Sequence, residues 1–182
     1  KNVYSMQIST LSQSIVHKDT AYLLIGPTFS VYSTMRRCKI CIIFGAIVIR
    51  TPDPVSAFRK YRVTLISCLL GTLQPLLETL PKTIQSSEEL HINIIGPSPP
   101  SGILTFIREN LSSNIHNIMG ANEAVGIMEM NFDGTGTILP GIDLEIRDDM
   151  HRQAPDGAAG LIAVRTPGMI EGYYKNEEET RK

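Results

Sequence analysis

The sequence predicts an α/β protein: a mostly parallel sheet flanked by helices, followed by a small antiparallel, barrel-like β part. Three observations carry that expectation. Short runs that are apolar throughout, such as Ala21 to Ile25, Val63 to Leu69 and Ile92 to Ile95, alternate with segments of helical period. Continuously apolar strands are buried on both faces, as in a parallel sheet covered by helices on either side. After Gly126 the texture changes. Ile142-Asp143-Leu144-Glu145-Ile146-Arg147 alternates strictly, the pattern of an antiparallel strand with one wet face.

Taken in order, Tyr4, Ile8, Leu11 and Ile15 recur at helical spacing and predict an amphipathic helix over residues 2 to 15. Ala21 to Ile25 is a buried strand ending at Gly26-Pro27. A helix over Val31 to Ile43 and a strand over Ala46 to Ile49 come next. Asp53-Pro54 pairs an N-cap with proline at the first helical position and opens a helix through Phe58 and Tyr61. Val63 to Leu69 is β-branched and apolar. Leu73, Leu76, Leu77 and Leu80 mark a helix that ends near Pro81. Ile92 to Ile95 is a strand stopped by Gly96. Ser98-Pro99-Pro100 leads into a helix with Ile103, Leu104, Ile107 and Leu111 on one face, and Ile115 to Met119 is a further strand. Asp133-Gly134 and Asp156-Gly157 are turn signals, and Leu161 to Arg165 is the expected partner of the alternating strand. The chain thus divides at about 1–125, an α/β part, and 126–182, a small β part with the start of a charged helix.

Composition narrows the function classes. The 182 residues carry a net charge of −1 with both signs mixed, and no basic stripe or aromatic–basic interleaving points to nucleic acid. The longest apolar run, Ile40 to Ile49, contains Gly45 and is too short to span a membrane. Three cysteines, an odd number, fit a reducing cytosol rather than a disulfide framework. Cys38 and Cys41 have metal-site spacing, but no second Cys pair or paired His completes a zinc tetrahedron, so both are expected in a helix core. The chain opens on Lys1 with helix-like sequence, which suggests a piece of a longer protein.

The stretch Asn117 to Gly126 carries the chemistry. An apolar strand arrives, is expected to turn on Gly120, and presents Asn122 and Glu123 before Gly126. An amide and a carboxylate at the carboxyl end of a parallel strand suit a ligand. His116, just before it, is expected to be a satisfied structural histidine.

Together these segments resemble the adenylate-forming (AMP-binding) enzymes: acyl- and aryl-CoA ligases, peptide-synthetase adenylation domains and luciferases. Pro27-Thr28-Phe29-Ser30 is similar to the family's proline-x-phenylalanine-histidine segment, and Phe58 to Thr64 to its helix-to-strand passage. Ile95-Gly96-Pro97-Ser98-Pro99 resembles the glycine-rich loop bordering adenine. Asn117 to Glu123 resembles the tyrosine-glycine-x-threonine-glutamate motif. Leu139 to Ile142, Gly160 to Ile162 and Gly168 to Tyr174 are similar to the β subdomain that comes after it.

The resemblance implies that a carboxylate attacks the α-phosphate of ATP to give an acyl-adenylate and pyrophosphate, and that a thiol of CoA or of a carrier protein's phosphopantetheine then takes the acyl group. It implies Glu123 as ligand to magnesium and Asn122 at the phosphate. Gly96, Pro97, Ser98, Asn117, Met119, Gly120 and Ala121 fall at the nucleotide. Ser30, Ile95 and Ala121 fall on the path of the acid, and being small or aliphatic they suggest an apolar one. Met119 stands where the family has the tyrosine that stacks on adenine, Asn122 where it has threonine, and Ser30 where it has histidine. The resemblance places the phosphate loop, the ribose-binding aspartate and the catalytic-lysine domain outside these residues, so the piece alone is expected not to turn over. Two other readings stay open: a nucleotide-sensing or partner-binding module of the same fold, and an unrelated open-sheet nucleotide or flavin binder.

Overall fold

The computed structural model describes residues 16–25, 38–80 and 89–181. The helix expected over residues 2 to 15, the segment Pro27 to Ser30 and the first half of the helix expected over 31 to 43 lie outside them.

A seven-stranded sheet organises the chain, in the order β2-β1-β3-β4-β5-β6-β7. Its strands are β1 (Ala21–Leu23), β2 (Ile47–Ile49), β3 (Leu65–Leu69), β4 (His91–Ile95), β5 (Ile115–Ala121), β6 (Val125–Met130) and β7 (Gly136–Ile138). The first five pair in parallel, and the last two join antiparallel. The connecting helices are α1 (Lys39–Ile43), α2 (Pro54–Lys60), α3 (Leu70–Thr79) and α4 (Ser101–Asn110). β8 (Asp143–Arg147) and β9 (Leu161–Arg165) form a separate antiparallel pair, and α5 (Glu177–Arg181) comes last.

The two-sided burial expected from the apolar strands is present. Successive side chains of a strand point to opposite faces. Ala21 and Leu23 pack into one core with Ile66, Ile92, Ile94, Leu73, Leu76 and Ile107. Tyr22 and Leu24 pack into a second core with Ile40, Cys41 and Leu65. Asp53 caps α2 as its sequence predicts: its Oδ1 accepts the Ser56 N–H at 3.1 Å, with Pro54 at the first helical position. Cys41 and Cys68 are buried and all three cysteines are free thiols; burial pushes the Cys68 thiol up to about 12. Among the described residues no helix is long and apolar enough to cross a membrane.

Two differences from the sequence reading bear on the site. β6 and β7, which run from Val125 onward, hydrogen-bond into the large sheet, so the sheet runs through to Ile138. The chain also does not turn on Gly120. Gly120 continues β5 opposite Gly126, and the reversal falls on residues 122–124. A register shift between Met119 and Gly120 marks a bulge there. The extra residue is Ile127 on β6, which lies between the partners of Met119 and Gly120. Bulges bend a strand and re-aim the residues beyond them, and Gly120 stays within the ladder.

Candidate active site

β4 and β5 run parallel and end at the same sheet edge, and each carries one of the predicted segments from that end. After β4 the chain turns at Gly96, whose φ of +100° lies in the region that only glycine adopts freely. The Gly96 N–H donates to the Ile118 carbonyl at 3.4 Å, tying this turn back to β5. A second tie is made by side chains. Asn117 Nδ2 donates to Ser98 Oγ at 2.9 Å. Asn117 is fully buried, and its Oδ1 has no hydrogen-bond partner among the described residues. A buried amide oxygen left unpaired costs about 1 to 3 kcal/mol. That cost makes Asn117 Oδ1 an acceptor in want of a donor.

Around this pair the predicted residues are graded in exposure. Ile95, Gly96 and Met119 are half-buried, and Pro97, Ser98, Gly120, Ala121 and Asn122 are exposed. Ser30 lies outside the described residues. The structure thus joins the 96–98 turn to β5. Among the described residues no hydrogen bond or ion pair links Glu123 to that turn; Glu123 engages a different part of the chain.

Residues 166–173 lie across the turn at 122–124. Thr166 Oγ1 donates to the Ala124 carbonyl at 3.1 Å and accepts the Gly168 N–H at 3.1 Å. The Ile170 N–H donates to the Glu123 carbonyl at 2.9 Å. The Tyr173 hydroxyl donates to Glu123 Oε1 at 2.9 Å. This bond to the carboxylate raises the Tyr173 phenol above its ordinary pKa. Sequence reading missed Tyr173. It stands 50 residues from its partner, and no periodicity reports a long-range side-chain contact.

Does this arrangement suit magnesium? Among the described residues no three His, Cys, Asp or Glu gather to hold a metal. Glu123 offers a single hard carboxylate, half-exposed, with one oxygen occupied by Tyr173. Magnesium binds through one or two carboxylates and completes its octahedron with phosphate and water. A lone glutamate at this edge fits that habit.

A second cluster lies at the opposite end of the same strands. His91 Nδ1 and His116 Nε2 are 3.1 Å apart, and His116 Nδ1 meets Glu129 Oε1 at 2.8 Å. His116 is therefore a satisfied histidine away from the site, as expected. His91 has its pKa lowered, first by burial and then by His116 and His17. A histidine that resists protonation in the folded state supports folding above its ordinary pKa, and that support is lost as pH falls below it. Thermal stability is therefore expected to drop from pH 7 to 5, with a shallower slope in His91→Asn; equal slopes in the two proteins would rule this out. An open groove of about 470 Å³ on the β8–β9 pair, lined by Asp143, Glu145, Arg147 and Arg165, contains none of the predicted site residues.

The chain belongs to the AMP-binding enzyme family, whose model matches residues 1–174. No curated protein matches it. Among solved structures it resembles apo MatB from Rhodopseudomonas palustris, at 16% identity and TM-score 0.82 over 99% of this chain and 38% of that one. A long-chain-fatty-acid-CoA ligase from Archaeoglobus fulgidus is 18% identical, with TM-score 0.82 over 100% of this chain and 41% of that one. O-succinylbenzoate coenzyme A synthetase from Bacillus subtilis is 21% identical, with TM-score 0.80 over 99% and 40%. At these identities the likeness shows a shared fold. The chain spans about two fifths of the length of these proteins.

Proposed function

We propose that these residues are the nucleotide-binding middle of a ligase that uses ATP to activate a carboxylic acid as its acyl-adenylate, releasing pyrophosphate, and then passes the acyl group to a thiol, releasing AMP. The thiol is that of CoA or of a carrier protein's phosphopantetheine. The observation that carries this reading is Asn117. Its Nδ2 joins the two segments assigned to adenine through Ser98, its buried Oδ1 is unpaired among the described residues, and the exocyclic amine of adenine is a donor of the kind that oxygen lacks. The family match supports the same chemistry, and one structure of similar fold, the Bacillus subtilis synthetase, is described in complex with ATP and magnesium.

In this reading the chain's residues mostly position and neutralise. Gly96, Pro97 and Ser98 border the base, with Met119 against its face. The Gly120 backbone leaves room for the nucleotide to approach closely. Asn122, exposed on the turn, offers an amide donor to the α-phosphate. Glu123 would hold magnesium, which would supply charge neutralisation at the phosphate oxygens. Ser30, Ile95 and Ala121 border the path of a small-molecule acid of apolar character. Strands β1 to β7, which end at Ile138, supply the sheet and its carboxyl edge, and the segment after β9 braces the turn at 122–124. A reducing cytosol, where the cysteines stay free, is the compartment we assign, with no nucleic-acid partner.

Calorimetry on the full-length protein tests the Asn117 assignment. GTP places a carbonyl where ATP has an amine, and a site built around one hydrogen-bonding group rejects the analogue lacking it. ATP is expected to bind at least about tenfold more tightly than GTP. Asn117→Leu should erase the preference and Asn117→Asp, which keeps an acceptor, should retain it. Equal affinities in the unmodified protein would defeat the assignment. Met119 and Asn122, which replace the family's tyrosine and threonine, favour a second reading, a module that binds nucleotide without turnover. Tight ATP binding without pyrophosphate exchange for any acid would select it.

A further inference from the structure

We infer that Tyr173 is a positioning residue for Glu123, and that the 166–180 segment is the brace that aims this carboxylate at its cation. The inference rests on the reading of Glu123 as a magnesium ligand. A glutamate on a turn has three free torsions, and an exposed one samples many rotamers. Here the Tyr173 hydroxyl takes Oε1 at 2.9 Å, and among the described residues Oε2 makes no hydrogen bond or ion pair. One oxygen is fixed and the other is presented. The carboxylate is thereby set to meet a cation through a single oxygen.

Tyr173 can do this because its own backbone is held. Its N–H donates to Thr180 Oγ1 at 2.9 Å, and that hydroxyl donates in turn to the Asn176 carbonyl at 2.7 Å. The neighbouring Gly172 has no room for a side chain: a Cβ there would meet Thr180 Cγ2 at 2.6 Å and Oγ1 at 3.0 Å. Glycine lets the chain close against Thr180 and so sets where the tyrosine ring begins. From the other end, the bonds from Thr166 to Ala124 and from Ile170 to Glu123 hold the turn's backbone to the same segment. The brace therefore grips the main chain of the turn and the one side chain assigned to the metal.

The test is binding of ATP to the full-length protein, by calorimetry, with saturating magnesium and again with EDTA. Tyr173→Phe is expected to weaken binding of the magnesium complex about fivefold, the scale of one exposed hydrogen bond to a charged group, and to leave metal-free ATP binding unchanged. Thr180→Val should move it in the same direction, and Thr180→Ser should restore it. In a Glu123→Gln background, Tyr173→Phe should have no further effect. A Tyr173→Phe loss of equal size with and without magnesium would mean a structural role only, and would overturn the inference. So would an unchanged magnesium dependence in Tyr173→Phe when Glu123→Gln abolishes it. If Glu123→Gln itself leaves the magnesium dependence intact, the underlying reading of Glu123 falls first. Thermal melts of each variant confirm that the folded protein is the species titrated.

Discussion

Glu123→Gln in the full-length protein is expected to weaken binding of magnesium–ATP by about ten- to a hundredfold, the equivalent of roughly 1.5 to 3 kcal/mol for a contact to a charged group. The substitution keeps the size, the rotamers and an oxygen that accepts from Tyr173, so the turn itself should hold. What it removes is the negative charge. A hard divalent cation takes charged oxygen far better than an amide oxygen, so the loss should vanish when ATP is titrated in EDTA. A loss that persists without metal would place Glu123 at the nucleotide directly, or in the fold. The half-exposed position of the residue keeps the expected effect below that of a fully buried ligand.

Ile92→Ala should cost about 2 to 5 kcal/mol of stability, measured by chemical denaturation, because it empties a site the surrounding core cannot fill. Ile92 is 0% exposed in the middle of the large sheet, with Ile66 beside it on β3 and Ile115 on β5. Ile162 in β9 makes the contrast: it is 50% exposed, and Ile162→Ala is expected to change stability by no more than about 0.5 kcal/mol. Comparable losses from the two truncations would mean that the β8–β9 pair is buried in the folded protein as deeply as the sheet.

The order of elements was legible because parallel strands announce themselves. Runs such as Leu65 to Leu69 are apolar on both faces, and that signal is local. So are the Asp53-Pro54 helix start and the pairing of Asp143–Arg147 with Leu161–Arg165, read from strict alternation and nearby turns. Less legible was how far the sheet extends. β6 and β7 look like the start of a β part in sequence, and only hydrogen bonding to β5 shows that they belong to the sheet. The turn was displaced by two residues, from Gly120 to 122–124, because a glycine can sit paired inside a strand as well as at a reversal. At the site, Asn117 and Ser98 were expected near the nucleotide, but their bond was not, since it crosses between strands. The role of Tyr173 was invisible because its partner Glu123 stands 50 residues away.

The bulge has a consequence for how this region accepts change. On its far side Ile118 faces Glu129 and Met119 faces Met128; on its near side Gly120 faces Gly126 and Ala121 faces Val125. The two halves of the β5–β6 ladder therefore count residues differently, with Ile127 taking up the slack and giving its carbonyl to Leu139. In an unbroken ladder, a residue gained or lost at the turn would slip the whole pairing and reverse every side chain on the strand. Here the mismatch is already absorbed in one place. The turn that carries Asn122 and Glu123 can change its length or its aim without dragging Glu129 from His116 at the other end. The tip of this hairpin can thus diverge on a scaffold that stays in register.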